Sequence, residues 1–162
     1  MRARFLVAAF SFIFAVAQPA EAQDSTSPII GVWKLTSYAR KEVGTEKTVQ
    51  PLGEHPTGYR VVTRDGHAFF MFFAENRKAP TGAITDADRI DLFKTMLVAG
   101  GTYKVEGNKF FFQGDVSASQ TVSKFTYEFE ITGSKLKMMA GPFKDPAGGP
   151  DSVVVTTYDR VE

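Results

Sequence analysis

Between Lys124 and Ile131 the chain alternates with a period of two: Phe125, Tyr127, Phe129 and Ile131 interleave with Lys124, Thr126, Glu128 and Glu130. Successive side chains of an extended strand point to opposite faces, so this pattern describes a strand with one face buried and one in water. A one-sided strand must hide its apolar face against other strands, and the rest of the chain supplies them. Strand-forming runs recur at Ile29–Arg40, Val43–Gln50, Tyr59–Thr63, Ala68–Ala74, Thr102–Glu106, Lys109–Asp115, Lys135–Met139 and Ser152–Val161. Turn residues separate them: Pro51-Leu52-Gly53, Asp65-Gly66, Gly107-Asn108, Gly133-Ser134 and the Gly/Pro-rich stretch Pro142–Pro150. The Asp-Gly pair favours a tight hairpin. About eight strands with short connections imply an all-β fold, a closed antiparallel barrel.

One segment departs from the two-residue period. Thr85-Asp86-Ala87-Asp88 reads as a capping box with Asp in the place of Glu, and Ile90, Phe93 and Leu97 then share a helical face before Gly100-Gly101. The spacing predicts a helix over about 85–98, packed on the barrel by that face.

The first 22 residues read as an address. Arg2 and Arg4 precede a 13-residue apolar run, Phe5–Ala17, and Ala20-Glu21-Ala22 offers a small-x-small cleavage site. Crossing a bilayer as a helix takes about 20 residues, so export is expected in preference to an uncleaved anchor. The expected organisation is a signal peptide over 1–22, a flexible lead-in over 23–29 and one barrel domain over 30–162. The mature protein would be periplasmic or extracellular, with no stable membrane insertion.

Composition narrows the function. The chain carries 19 basic and 18 acidic residues, and removing Arg2, Arg4 and Glu21 with the leader leaves 17 of each. A nucleic-acid partner is therefore not expected, because phosphate binding needs a basic surplus. With no cysteine, disulfides, thiolate catalysis and zinc–thiolate sites are excluded. His55 and His67 are the only histidines; a metal would need Glu54, Asp65 or Glu75 besides, at no recognisable spacing. Local hydrogen bonding accounts for both histidines. Asp65 with His67 could form a dyad, but across a tight turn such a pair is turn chemistry. No Gly-x-Ser-x-Gly elbow or phosphate loop occurs, and neither metal nor cofactor is expected.

Alternation assigns faces. Placing Lys34, Arg60, Lys104, Lys135 and Lys137 in water puts Trp33, Leu35 and Ser37, then Tyr59, Val61 and Thr63, then Tyr103 and Val105, then Leu136 and Met138 inside. Phe69-Phe70 and Phe72-Phe73 fill both faces; His67 and Glu75 on the odd face favour Phe70 and Phe72 inside. The Phe110–Phe112 run poses the same problem.

Gly31-Val32-Trp33, then Pro51-Leu52-Gly53-Glu54-His55-Pro56-Thr57-Gly58-Tyr59, then Thr63-Arg64-Asp65-Gly66-His67 resemble in order the lipocalin-like domain family of bacterial and fungal proteins, a calycin-type group. The resemblance implies an up-and-down barrel of eight to ten strands with an internal cavity, and no single activity. In better-known lipocalins an Arg of the last strand stacks over this Trp at the closed end, and Arg160 stands in the matching place. Trp33 and Arg160 are thus expected to be structural.

The segment after the leader holds 11 Phe, 5 Tyr and 1 Trp. Small barrels fill their own interiors, but an aromatic cavity offering tyrosine hydroxyls to a ligand competes with that. The expected lining is Tyr59, Phe70, Phe72, Tyr103, Phe110, Phe112, Phe125, Tyr127 and Phe129. The leading expectation is an exported barrel binding a small, largely apolar molecule. The alternatives are a pocket enzyme of isomerase or cyclase type using the same cavity, and a filled barrel acting as a protein-interaction module. The oligomeric state stays open, a homodimer included.

Overall fold

The computed structural model describes residues 27–118, 124–145 and 148–161; the leader, with its charged start and cleavage site, lies outside them. The elements run β1 (Gly31–Glu42), β2 (Thr48–Val49), β3 (Thr57–Val62), β4 (His67–Phe73), α1 (Asp86–Lys94), β5 (Met96–Glu106), β6 (Lys109–Ser117), β7 (Lys124–Thr132), β8 (Lys135–Phe143) and β9 (Ser152–Arg160). Every pairing is antiparallel between neighbours in the order β1-β3-β4-β5-β6-β7-β8-β9. The β1–β9 ladder from Trp33↔Arg160 to Glu42↔Ser152 closes the ring. The two-residue β2 adds to the far end of β1. This is the expected eight-strand up-and-down barrel, in which closure leaves few backbone groups unpaired.

Connectivity gives the barrel two unlike ends. The β3–β4, β5–β6 and β7–β8 turns gather at one end, with the start of β1 and the finish of β9. There Trp33, Leu35, Val62, Tyr103, Phe110, Leu136, Met138 and Tyr158 are buried and fill the bore. The other end carries the longer connections: β4 to β5 through α1, β6 to β7, and β8 to β9.

Arg160 lies over Trp33 with its guanidinium carbon 4.1 Å from the ring centroid. The same guanidinium donates to Ile30 O at 3.1 Å and to Pro28 O, while Trp33 Nε1 donates to Ile29 O at 2.8 Å. The closed-end pairing expected from the resemblance is present. It also ties down the close of the expected lead-in: Ile29 is fully buried and belongs to the core.

Two expectations about faces need correction. Tyr59 is 47% exposed while Arg60 and Val62 are buried, so Tyr59, Val61 and Thr63 take the outer face, the reverse of the charge-outward assignment. The hairpin explains the reversal. Thr63 N–H donates to His67 O at 2.9 Å, so the loop is Arg64-Asp65-Gly66, with Gly66 at φ +87°. Three loop residues instead of two shift the register by one, setting Arg60 opposite Phe70 and Gly58 opposite Phe72. Because Phe70 and Phe72 do face inward, Arg60 must follow them. Ser37 is the second correction. The ladder slips between Leu35 and Ser37, a bulge at Thr36, and the hydroxyls of Thr36 and Ser37 both meet that of Thr157, at 2.8 and 2.6 Å. The bulge turns Tyr38 inward in place of Ser37, against the Phe72 ring.

The helix is shorter than its periodicity suggests. The capping box forms as read: Thr85 Oγ1 accepts from Asp88 N at 3.2 Å, and Asp88 Oδ2 accepts from Thr85 N at 2.8 Å. The helix then stops at Lys94, and Met96, Leu97 and Val98 pair instead with Phe73, Phe72 and Met71 of β4. A nine-residue helix with none of its residues buried gains little from packing, while each residue given to the ladder satisfies backbone groups. Ile90 and Phe93 stay exposed, and Phe93 borders the cleft described below.

Candidate functional site: a buried guanidinium in an aromatic cage

The open half of the bore contains a cavity of about 160 Å³ lined by Tyr38, Arg60, Phe70, Phe72, Leu97, Phe125, Tyr127, Ala140, Phe143, Val154 and Thr156. Beside it lies a cleft of about 460 Å³ between the C-terminal end of α1 and strands β5 and β6. Phe70, Leu97 and Phe125 line both spaces and form the boundary between them.

Aromatic rings surround the Arg60 guanidinium. Its carbon lies 5.0 Å from the Tyr127 ring centroid, 5.2 Å from Phe70, 5.7 Å from Tyr158, 5.9 Å from Phe72 and 6.0 Å from Phe110. A desolvated cation over a ring face gains up to about 2 kcal/mol per favourable contact. Taking the charge out of water costs several kcal/mol; the rings offset that penalty, but ring faces give the terminal nitrogens no hydrogen-bond acceptor in the plane of the guanidinium. Arg60 Nε donates to Tyr158 Oη at 3.2 Å, and Tyr127, whose ring lies over the guanidinium, shares the cavity wall. One terminal nitrogen, Nη1, has no partner, and neither has the buried hydroxyl of Thr156. Among the described residues, none that lines the cavity is acidic.

Electrostatics agree with the geometry. Burial pulls the Arg60 pKa down, the tyrosines beside it push it up, and the net direction is upward, so the group stays a cation. Burial raises the phenol pKa values of Tyr127 and Tyr38, the former against the pull of Arg60. At neutral pH the cavity therefore presents one positive charge and neutral hydroxyls.

The structure sorts the expected lining residues. Phe70, Phe72, Phe125 and Tyr127 border the interior cavity, and Phe112 borders the cleft. Tyr103 and Phe110 face inward but stack on each other in the filled half, with ring centroids 4.8 Å apart. The Tyr103 hydroxyl already donates to Thr63 O at 2.6 Å, so it needs no ligand. Phe129 is half-buried against the core and borders neither space, and Tyr59 lies outside. Sequence reasoning missed Tyr38, Arg60, Thr156 and Tyr158. Arg160 over Trp33 was a usable signal, since Tyr158 and Thr156 share its parity on β9.

The histidines sit apart from this cavity. His67 Nδ1 lies 3.4 Å from Asp65 Oδ1, both side chains are solvent-exposed, and the Thr63 hydroxyl bonds the same carboxylate. That hydroxyl first, and His67 second, hold the Asp65 carboxyl below its usual range. His55 N–H donates to Glu75 Oε2 at 2.7 Å. Both contacts stabilise turns, that of His67 through its imidazole and that of His55 through its backbone alone, and among the described residues no three His, Cys, Asp or Glu side chains converge to hold a metal.

The model of the lipocalin-like domain matches residues 30–160, nearly all of the described chain. The protein belongs to the lipocalin-like domain family. No curated protein matches the chain. The filled floor, the Trp33–Arg160 contact and the Arg60 cage are all read from this chain's own residues.

Proposed function

We propose that this lipocalin-like protein binds one small, largely apolar molecule in the open half of its barrel. The observation that carries the reading is the aromatic interior cavity sharing Phe70, Leu97 and Phe125 with the neighbouring cleft. Sites of this kind are concave and mostly apolar, with a few placed polar groups. Here the polar groups are Arg60, Tyr127, Tyr38 and Thr156. Export completes the proposal: the Arg2/Arg4 start, the apolar run and Ala20-Glu21-Ala22 would deliver a mature protein beginning near Gln23.

A solvatochromic dye is expected to bind with a stoichiometry near one. Phe125→Trp should weaken that binding about tenfold, because the larger ring fills the shared wall. Phe129→Trp should leave it within about twofold, since Phe129 borders neither space. Titrating both folded variants checks the location, and equal affinities in the two would place the dye elsewhere.

A further inference from the structure

We propose that the ligand is a monocarboxylate whose acid group sits inside the barrel against Arg60, with its apolar remainder running past Phe70, Leu97 and Phe125 into the cleft. This rests on the binding reading above and gives it a chemical class. A guanidinium 1% exposed, with one nitrogen unpartnered and no acidic residue lining its cavity, is a buried charge lacking a counter-ion. Burial of that kind is costly unless the charge is paired and hydrogen-bonded. Among the described residues, every side chain lining this cavity beside Arg60 is aromatic, aliphatic or a neutral hydroxyl, which leaves the place of the counter-ion to a bound anion.

The chemistry of the pocket selects the anion. Arg60 is the one cation among the described lining residues and balances a monoanion, whereas a phosphate dianion would need a second cation, and half-buried Arg40 nearby already donates to Ser152 Oγ. The planar fork of arginine matches the two oxygens of a carboxylate. The unpartnered Thr156 hydroxyl, on the same cavity wall, can serve one of them. Size points the same way. A cavity of about 160 Å³ holds an acid group with a short chain or ring, comparable to the roughly 150 Å³ cavity that admits benzene in another protein. A longer apolar body has to continue into the 460 Å³ cleft.

Calorimetric titration of the mature protein with 4-phenylbutyrate, its neutral amide 4-phenylbutanamide, and 4-phenylbutyl phosphate tests the assignment. The acid is expected to bind about 10- to 100-fold tighter than the amide, as charge-assisted hydrogen bonds imply, and at least as tightly as the phosphate. Arg60→Met should bring the acid-to-amide ratio close to one, by lowering acid affinity far more than amide affinity. Tyr127→Phe keeps the ring and should lower acid affinity about three- to tenfold. Should Arg60→Met fail to fold, the wild-type ratio and Tyr127→Phe decide. Equal binding of acid and amide, or tighter binding of the phosphate, overturns the carboxylate assignment and leaves small-molecule binding standing. Dye binding without any probe binding does the same. Loss of dye and probes together refutes the binding reading itself.

Discussion

Gly58→Ala is expected to cost about 3–5 kcal/mol, a fall in melting temperature of roughly 10 °C or more for a domain of this size. Gly58 lies on β3 opposite Phe72 with φ at +141°, a conformation that side chains with a Cβ rarely adopt. An added Cβ would stand 2.0 Å from the Met71 carbonyl oxygen and 2.8 Å from the Phe72 Cα. Those are backbone atoms held in the β3–β4 ladder, so the clash is relieved only by parting the strands. Gly107→Asn is the matched control: its φ of +59° suits Asn, and a Cβ there meets nothing within 4 Å. Thermal melts followed by circular dichroism should separate the two variants clearly. Equal melting temperatures would show that β3 and β4 do not approach this closely at Gly58.

The second large effect belongs to the closed end. Arg160→Ala removes a cation–π contact worth about 1–2 kcal/mol, donors to Ile30 O and Pro28 O, and the packing of an aliphatic stem. A loss of about 2–4 kcal/mol is expected. Trp33 is the single tryptophan, so its emission should shift at the same time. Arg160→Lys should recover only part of the stability, because an ammonium lacks the planar fork that reaches both carbonyls. Dye affinity should stay within about twofold of wild type, since the cavity occupies the other half of the bore. Unchanged stability together with unchanged emission would mean that Arg160 contributes nothing at Trp33.

The barrel was legible because alternation, turn residues and the Trp33–Arg160 pair all point to one closed sheet, and structural consistency across levels is what specifies a fold. Phe70, Phe72, Phe125 and Tyr127 were legible as lining for the same reason. Arg60 was not. The rule that charged residues mark the outer face is sound on average, and it fails where a chain builds a charged group into its interior. The loop length held the correction: three residues at Arg64-Asp65-Gly66, combined with inward Phe70 and Phe72, make Arg60 inward whatever its charge. Tyr38 was hidden by the bulge at Thr36, which nothing in local composition announces. The helix was over-extended because Leu97 fits a helical face and a strand equally well, and pairing with Phe72 decides between them. The local pattern misleads most at Arg60, where the proposed binding chemistry is concentrated.

The central claim is that the half-open bore is a ligand site in an exported protein. Native mass spectrometry of the protein recovered from its own compartment tests it most directly. The account predicts a chain beginning at Gln23 or within a few residues of it, carrying one small acid that is lost from Phe125→Trp. A chain still starting at Met1 would contradict the export half. A bare chain that also fails to take up the dye or 4-phenylbutyrate at one equivalent would contradict the ligand site.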